Sequence, residues 1–261
     1  SGRGGHGLKS DGTLWAWGDG VNGALGLGNT TDYSSPVQVG SLNTWRAIFG
    51  GHTPRTFIGV SSSGTLWTCG YNAVGEMGDS STVAKSSPVQ VGALTDWSHG
   101  SIDGRVALAI KTDGTMWSWG FNYKGALGVG DTANRSSPTQ IGALTTWSKV
   151  TAGSYGGLAI KTDGTLWGWG YNRFGWLGTG NTTDYSSPVQ IGAQTDWADI
   201  GMGRGYTPMG IKTTGKLYTW GRGTSGELGD GTTVSKSSPV QVGALTDWAS
   251  AGANRSMQAT K

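Results

Sequence analysis

The chain has 261 residues, of which 49 are glycine and 14 are tryptophan, while only 13% are charged. The net charge is +3, and the 16 acidic residues are mixed among 19 basic ones with no run of Lys or Arg, which argues against a nucleic-acid-binding protein. No apolar run is long enough for a membrane span, and the single cysteine excludes an internal disulfide framework.

A pattern of about fifty residues recurs along the whole chain. A turn glycine, a proline and a tryptophan each recur at intervals of 52, 50, 50 and 51 residues. The glycines are Gly12, Gly64, Gly114, Gly164 and Gly215, the prolines Pro36, Pro88, Pro138, Pro188 and Pro239, and the marker tryptophans Trp45, Trp97, Trp147, Trp197 and Trp248. We predict a single domain over residues 1–261, with repeats at approximately 12–63, 64–113, 114–163, 164–214 and 215–261.

Each repeat predicts four short strands. An apolar run comes first and is followed by a T-D-G turn, which predicts a tight hairpin. The second strand is T-L-W-x-W-G, in which Thr13, Trp15 and Trp17 share one face and can stack on a neighbouring sheet. After a glycine-spaced loop, P-V-Q-V-G forms a third strand with proline at its first residue, and a fourth begins at the marker tryptophan. No segment has helical periodicity, so the chain is predicted to be all-β.

The phrases L-A-I-K-T-D-G-T-L-W-x-W-G, N-x-x-G-x-L-G and S-S-P-V-Q-V-G resemble repeats of the regulator-of-chromosome-condensation type, in the glycine-rich form of bacterial and phage proteins. Four-stranded units at this period are also the pattern of β-propeller blades. The resemblance implies a propeller, commonly of seven blades, in a family whose members act as a nucleotide-exchange factor, a photoreceptor or a protein inhibitor of β-lactamase. It predicts the fold and leaves the function open.

Five repeats are visible, which leaves two alternatives for the number of blades. The chain is either a five-bladed ring or part of a six- or seven-bladed one. If the ring closes, residues 1–11 complete the last repeat, and residues 6–9 and 257–260 then compete for one strand position. Either a terminal strand is displaced, or the chain is a stretch of a longer propeller.

The sequence contains no recognisable catalytic motif. The three histidines fall at unrelated phases of the repeat and no G-x-S-x-G occurs. Cys69 stands where other repeats have tryptophan, which predicts a small core residue and not a reactive thiol. Three repeats carry an aspartate in the hairpin, and the other repeats have Ser or Thr there. These residues are predicted to form turns. The aspartates are Asp11, Asp113 and Asp163. We therefore predict a non-enzymatic protein with no cofactor and no metal site.

The loops that precede the first strands carry arginine in most repeats. The residues concerned are Arg3, Arg55, Arg105, Tyr155, Arg204 and Arg255. Equivalent loops of a propeller emerge at one end around the axis, so we predict a ring of guanidinium groups. Such a ring could bind an acidic protein, a phosphate, or a sulfated or uronic sugar. The alternative is that solvated arginines keep the rim soluble and cover tryptophan rings by cation–π contact.

Two loop aromatics distinguish the fourth repeat. Phe174 and Trp176 replace polar or small residues of the other repeats. They form either a contact patch for a sugar or a protein, or local packing against a neighbouring blade.

Together these features favour a binding or structural propeller that recognises a protein or an acidic surface glycan through one loop face. We expect it on a phage particle or bacterial surface, extracellular or virion-associated, as a component of a larger assembly. The alternative is a regulatory propeller that binds an enzyme, as an inhibitor or as a nucleotide-exchange factor. The nearly constant repeat length leaves no room for a long inserted wedge of the kind that exchange activity would need.

Overall fold

The protein consists of antiparallel strands, which confirms the all-β prediction. A computed structural model describes residues 4–49, 55–203, 207–253 and 257–260. In these ranges the only helices are two single 3-10 turns, Val21–Gly23 and Tyr123–Gly125. No helix of the described ranges is long and apolar enough to cross a membrane.

The strands form six successive sheets, each built from strands that are consecutive in the chain. Sheet 1 has three strands, β1 (Gly5–Leu8), β2 (Leu14–Gly18) and β3 (Tyr33–Gln38). Sheet 2 has β4 (Trp45–Phe49), β5 (Thr56–Ser61), β6 (Leu66–Gly70) and β7 (Lys85–Gln90). Sheet 3 has β8 (Trp97–Asp103), β9 (Val106–Lys111), β10 (Met116–Gly120) and β11 (Arg135–Gln140). Sheet 4 has β12 (Trp147–Gly153), β13 (Gly156–Lys161), β14 (Leu166–Gly170) and β15 (Tyr185–Gln190). Sheet 5 has β16 (Trp197–Gly203), β17 (Thr207–Lys212), β18 (Leu217–Gly221) and β19 (Lys236–Gln241), and sheet 6 has β20 (Ser250–Ala253) and β21 (Met257–Thr260).

The prediction of propeller blades with four strands is confirmed, but the sheets are out of phase with the repeats. Strand β12 pairs with β13, with Val150 opposite Ala159, so the strand that begins at a marker tryptophan is the first strand of the next sheet. A repeat counted from its turn glycine therefore divides a sheet between its second and third strands. The first strands β4, β8, β12, β16 and β20 contact one another in succession and are called the inner strands here.

The two terminal segments do not compete for one position. Strand β1 pairs with β2, and β21 pairs with β20. Within the described residues, residues 5–8 thus belong to sheet 1 and do not complete the last sheet.

The outer strands begin earlier than predicted. Strand β15 starts at Tyr185, so Pro188 is its fourth residue and not its first. The register of β15 against β14 shifts between Val189 and Tyr185, which leaves the proline at an irregularity on an edge strand. A residue without an N–H is tolerated there because it has no ladder hydrogen bond to donate.

The hairpin acids form turns, as predicted. Asp113 Oδ1 accepts hydrogen bonds from the backbone N–H (2.9 Å) and the hydroxyl (2.6 Å) of Thr115. Gly114 adopts φ +77°, a conformation that favours glycine. Its carbonyl accepts a hydrogen bond from the N–H of Trp147 at 3.1 Å, so each turn also holds the inner strand of the next sheet.

A second tryptophan on the T-L-W-x-W-G strand joins each of sheets 3, 4 and 5 to the loop of the preceding sheet. Trp169 is fully buried, and its indole N–H donates to the carbonyl of Ala126 at 3.1 Å. Cys69 holds the equivalent position in sheet 2, with Sγ 3.9 Å from the carbonyl of Ala24. It is buried, as predicted for a core residue, and burial raises the pKa of its thiol to about 12. Trp17 of sheet 1 has no preceding loop in the described residues and is 37% exposed.

The environment of His6 predicts that acid destabilises the fold. Its ring lies 4.8 Å from that of Phe57, and burial lowers its pKa from 6.5 to about 4, against a smaller opposing effect of backbone groups of Leu25 and Ala24. Because the folded pKa lies below the unfolded one, the unfolded chain takes up the proton first as the pH falls. We expect the free energy of unfolding to drop by about 3 kcal/mol between about pH 6.5 and about pH 4, measured by urea unfolding.

His6→Leu is the matched control for this titration. His6 in sheet 1 occupies the strand position that Ile58 holds in sheet 2 and Leu108 holds in sheet 3. An aliphatic side chain therefore suits the site. The variant should lose this part of the acid sensitivity, and an unchanged pH profile would contradict the assignment.

Candidate binding face

The arginine-bearing loops join each inner strand to the second strand of its sheet. Arg105 lies directly before β9, and Arg55 directly before β5. Tyr155 occupies the same position before β13. Arg3, Arg204 and Arg255 lie outside the described residues, so the predicted ring can be followed only through Arg55, Arg105 and Tyr155.

Tyr71 lies between the two described arginines. The Arg55 guanidinium is 5.8 Å from the centre of the Tyr71 ring, and the Arg105 guanidinium is 5.4 Å from it. Arg105 also donates through Nη2 to the Tyr71 hydroxyl at 3.3 Å and lies 5.8 Å from the Phe121 ring. The Arg105 guanidinium is therefore held between two aromatic rings, whereas Arg55 is exposed and has its guanidinium over the face of one ring.

The row of rings continues across sheets 3 and 4. Tyr123 stacks on Phe121, with ring centres 6.1 Å apart, and contacts Tyr155 at 5.9 Å and Tyr171 at 6.0 Å. Tyr123 is 47% exposed, and the rings around it are half-buried. The arginine–aromatic band is defined here as Arg55, Tyr71, Arg105, Phe121, Tyr123, Tyr155 and Tyr171.

A buried carboxylate orients Arg105. Glu76 is fully buried, and its Oε2 accepts a hydrogen bond from the backbone N–H of Val74 at 2.8 Å. Its Oε1 lies 3.7 Å from Nε of Arg105. Removing Arg105 would leave a buried carboxylate without its counter-charge, which is costly. Arg105 thus has a structural role, whereas Arg55 is exposed and, within the described residues, lies over the face of Tyr71.

The two aromatics of the fourth repeat have different surroundings. Phe174 is half-buried and lies 5.5 Å from the guanidinium of Arg173 and 5.9 Å from that of Arg222. Trp176 is 1% exposed and packs against Gly156, where an added Cβ would come within 2.6 Å of the ring. Trp176 is therefore a packing residue, as one of the two predicted alternatives required. Of these two aromatic residues, only Phe174 can contact a ligand at the surface.

Within the described part of the chain, the loop arginines Arg55 and Arg105 lie on tyrosine and phenylalanine rings and not on tryptophan rings. Lysines cover tryptophan rings at the opposite end of the strands, where Lys161 Nζ lies 3.6 Å from the centre of the Trp167 ring. At the loop end, arginine is paired with tyrosine and phenylalanine. Arg and Tyr are the residues that contribute most often to binding energy at protein interfaces, and a guanidinium held on a ring loses little entropy when it binds a carboxylate.

Sequence reasoning missed the aromatic half of this face. Three band residues stand at one repeat position, directly after the glycine that ends the T-L-W-x-W-G phrase. The residues at that position are Asp19, Tyr71, Phe121, Tyr171 and Arg222. This position carries aspartate in the first repeat and an aromatic residue in the three central repeats. Because it lies at the strand end near the arginine loops, the change could have predicted aromatic residues beside the arginines.

Family comparison agrees with the repeat pattern. A family model described as Regulator of chromosome condensation (RCC1) repeat matches residues 11–53, 113–160, 163–208 and 214–257, and a second model of the same description matches residues 147–175. Residues 54–112 lie outside these matches, although the structure places the same sheet architecture there.

The relatives compared below are longer than the present chain. The ultraviolet-B receptor UVR8 of Arabidopsis thaliana is 34% identical over 89 residues, which are 34% of this chain and 20% of the receptor. Human WBSCR16 is similar in structure with a TM-score of 0.84 and 18% identity over 97% of this chain and 68% of its own. Prp20p of Saccharomyces cerevisiae gives a TM-score of 0.84 and 16% identity over 97% of this chain and 65% of its own. This chain thus spans about two thirds of the similar structures and a fifth of the plant relative.

Proposed function

The chain belongs to the Regulator of chromosome condensation (RCC1) repeat family, and from that premise we propose that it is a non-enzymatic binding protein whose arginine–aromatic band recognises an acidic segment of a protein partner. Among its structural relatives, Prp20p has binding properties towards Gsp1p and histones, and yeast RCC1 (Prp20) has been solved bound to Kap60. These relatives support protein binding as the general role.

The arginine–aromatic band is the observation that carries the proposal. It combines two guanidinium groups, which pair well with carboxylates, with a row of half-exposed rings that can bury apolar side chains. Tyr123, with nearly half of its surface exposed, is the ring most open to a partner. A segment with acidic and apolar side chains would match both features.

Arg55→Ala tests the proposal with little risk to the fold. We expect about a tenfold weaker affinity for a short peptide rich in Asp, Glu and Leu, measured by fluorescence anisotropy, because one guanidinium–carboxylate contact is lost. Lys9→Ala is the matched control: it removes an exposed cation, bound to Asp11 at 3.0 Å, from the opposite end of the strands. That variant should bind as the unchanged chain does.

Two further results separate the alternatives. A preference for heparin over the acidic peptide would favour an acidic glycan as the partner. Equal loss of affinity in the Arg55 and Lys9 variants would indicate general charge attraction and contradict a specific face. Arg105→Ala is a poor probe, since loss of the Glu76 contact is expected to lower stability as well as binding.

We also propose that the protein acts outside the cell, on a phage particle or a bacterial surface, within a larger assembly. The low charge and the Trp- and Gly-rich composition support this location. Co-purification with particles or envelope in a fixed ratio would be the expected result. A soluble one-to-one complex with an enzyme would instead favour the regulatory alternative.

A further inference from the structure

A cavity of about 480 Å³ lies where the inner strands meet, and its lining shares no residue with the arginine–aromatic band. Phe49 of β4, His99 of β8, Lys149 of β12 and Asp199 of β16 contribute to its wall. Its volume is within the range of about 300 to 1,000 Å³ that is usual for small-molecule sites.

Three polar residues of the cavity wall, His99, Lys149 and Asp199, come from one repeat position whose side chains all differ, and Ser101, Ser148 and Thr151 complete the polar lining. Two residues after the marker tryptophans stand Ala47, His99, Lys149, Asp199 and Ser250. The next position is Ile48, Gly100, Val150, Ile200 and Ala251, which is apolar or glycine throughout. Scaffold positions repeat their chemistry in this protein, so the variation at the cavity wall is not explained by blade packing alone.

The charges in the cavity balance one another. Lys149 Nζ lies 2.8 Å from Oδ1 of Asp199, and Oδ2 of Asp199 accepts a hydrogen bond from the N–H of Ala251 at 2.8 Å. Both carboxylate oxygens are thus engaged, and the ammonium group has its counter-charge. A cationic ligand would be repelled by Lys149, and an anionic ligand would be repelled by Asp199.

His99 adds a hydrogen-bond acceptor. Its Nε2 lies 3.2 Å from the carbonyl of Val150, and because a carbonyl only accepts, Nε2 carries the proton. Burial lowers the pKa of His99, opposed by the Val150 contact, so the ring is neutral at neutral pH and Nδ1 keeps a lone pair. The ring is flanked by Phe49, with centres 5.1 Å apart in an edge-on arrangement.

From these features we propose that the cavity binds a neutral, polyhydroxylated small molecule of one or two sugar rings. Hydroxyl groups both donate and accept, which suits the His99 acceptor and the remaining N–H donors of Lys149. The ring of Phe49 and the side chain of Ile48 supply an apolar wall for the C–H face of a sugar. This site is independent of the acidic segment proposed for the band.

The test uses the whole chain and defined sugars. Glucose, N-acetylglucosamine, maltose and cellobiose are titrated by saturation-transfer NMR and calorimetry, with glucuronate and glucosamine as charged analogues. We expect at least one neutral sugar to bind with a Kd below about 10 mM and at least about fivefold more tightly than either charged analogue. Binding by the Arg55→Ala variant should be unchanged, which separates this site from the band.

Two conservative variants locate the ligand. Lys149→Met keeps the aliphatic stem, and His99→Gln keeps a donor for the Val150 carbonyl, so both are expected to fold; each should weaken sugar binding about tenfold. Lys85→Met, on an outer strand, is the matched control. The proposal is overturned if no neutral sugar binds at about 50 mM to the folded chain, if glucuronate binds more tightly, or if the two cavity variants bind as the control does.

Discussion

Trp169→Ala is expected to lower the free energy of unfolding by about 3 to 5 kcal/mol. The ring is fully buried between sheet 4 and the loop of the preceding sheet, and a Cβ added at Gly128 would lie only 2.8 Å from it. Truncation therefore opens a cavity at the sheet junction and leaves the carbonyl of Ala126 without its indole donor. Urea unfolding followed by circular dichroism measures the loss.

Trp17→Ala is the matched control, because Trp17 holds the same repeat position in sheet 1. Trp17 is 37% exposed, and within the described residues its indole N–H makes no hydrogen bond to a loop. Trp17→Ala should lower the free energy of unfolding by less than half as much as Trp169→Ala does. Equal costs for the two variants would show that burial within one sheet, and not the junction with the preceding loop, provides the stabilisation.

Gly114→Ala is expected to cost about 3 kcal/mol or more, well above the cost of Gly142→Ala. Both glycines have positive φ, +77° and +61°, so both variants include the strain of a left-handed alanine, about 1 kcal/mol. Only at Gly114 does a new Cβ meet another group, since it would lie 2.1 Å from the carbonyl oxygen of Thr145, whereas nothing lies within 4 Å at Gly142. The turn must then move, and with it the hydrogen bond to Trp147.

The difference between the two glycine variants measures how tightly each hairpin is bound to the next sheet. Midpoints of urea unfolding are sufficient for the comparison. If both variants lose about 1 kcal/mol, the hairpin adjusts freely and does not anchor the inner strand.

The repeat pattern predicted strands and turns because these depend on local chemistry. The T-D-G phrases form the tight hairpins that their composition predicts, and the core role of Cys69 followed from its position alone. The phase of the sheets did not follow, because a period gives the spacing of equivalent residues but not which consecutive strands pair.

The site was only half predictable for a related reason. Phe174 and Trp176 are two residues apart and looked equivalent, yet Trp176 is buried because Gly156 leaves room for its ring where sheet 3 has Val106. Likewise, Tyr71 and Arg105 are 34 residues apart and meet only through the stacking of two sheets. Contacts of this kind depend on tertiary neighbours that one sequence does not identify.

The offset between repeat and sheet has a consequence for how such genes can change in length. The phrase K-T-D-G-T forms the turn between β9 and β10 and again between β13 and β14. Unequal crossover between these two copies would connect β9 to β14 and still give a complete sheet of β8, β9, β14 and β15. Blades can therefore be lost or duplicated through the most similar stretch of coding sequence without exposing an incomplete sheet, and the arginine loops and cavity residues are reassorted as the array grows or shrinks.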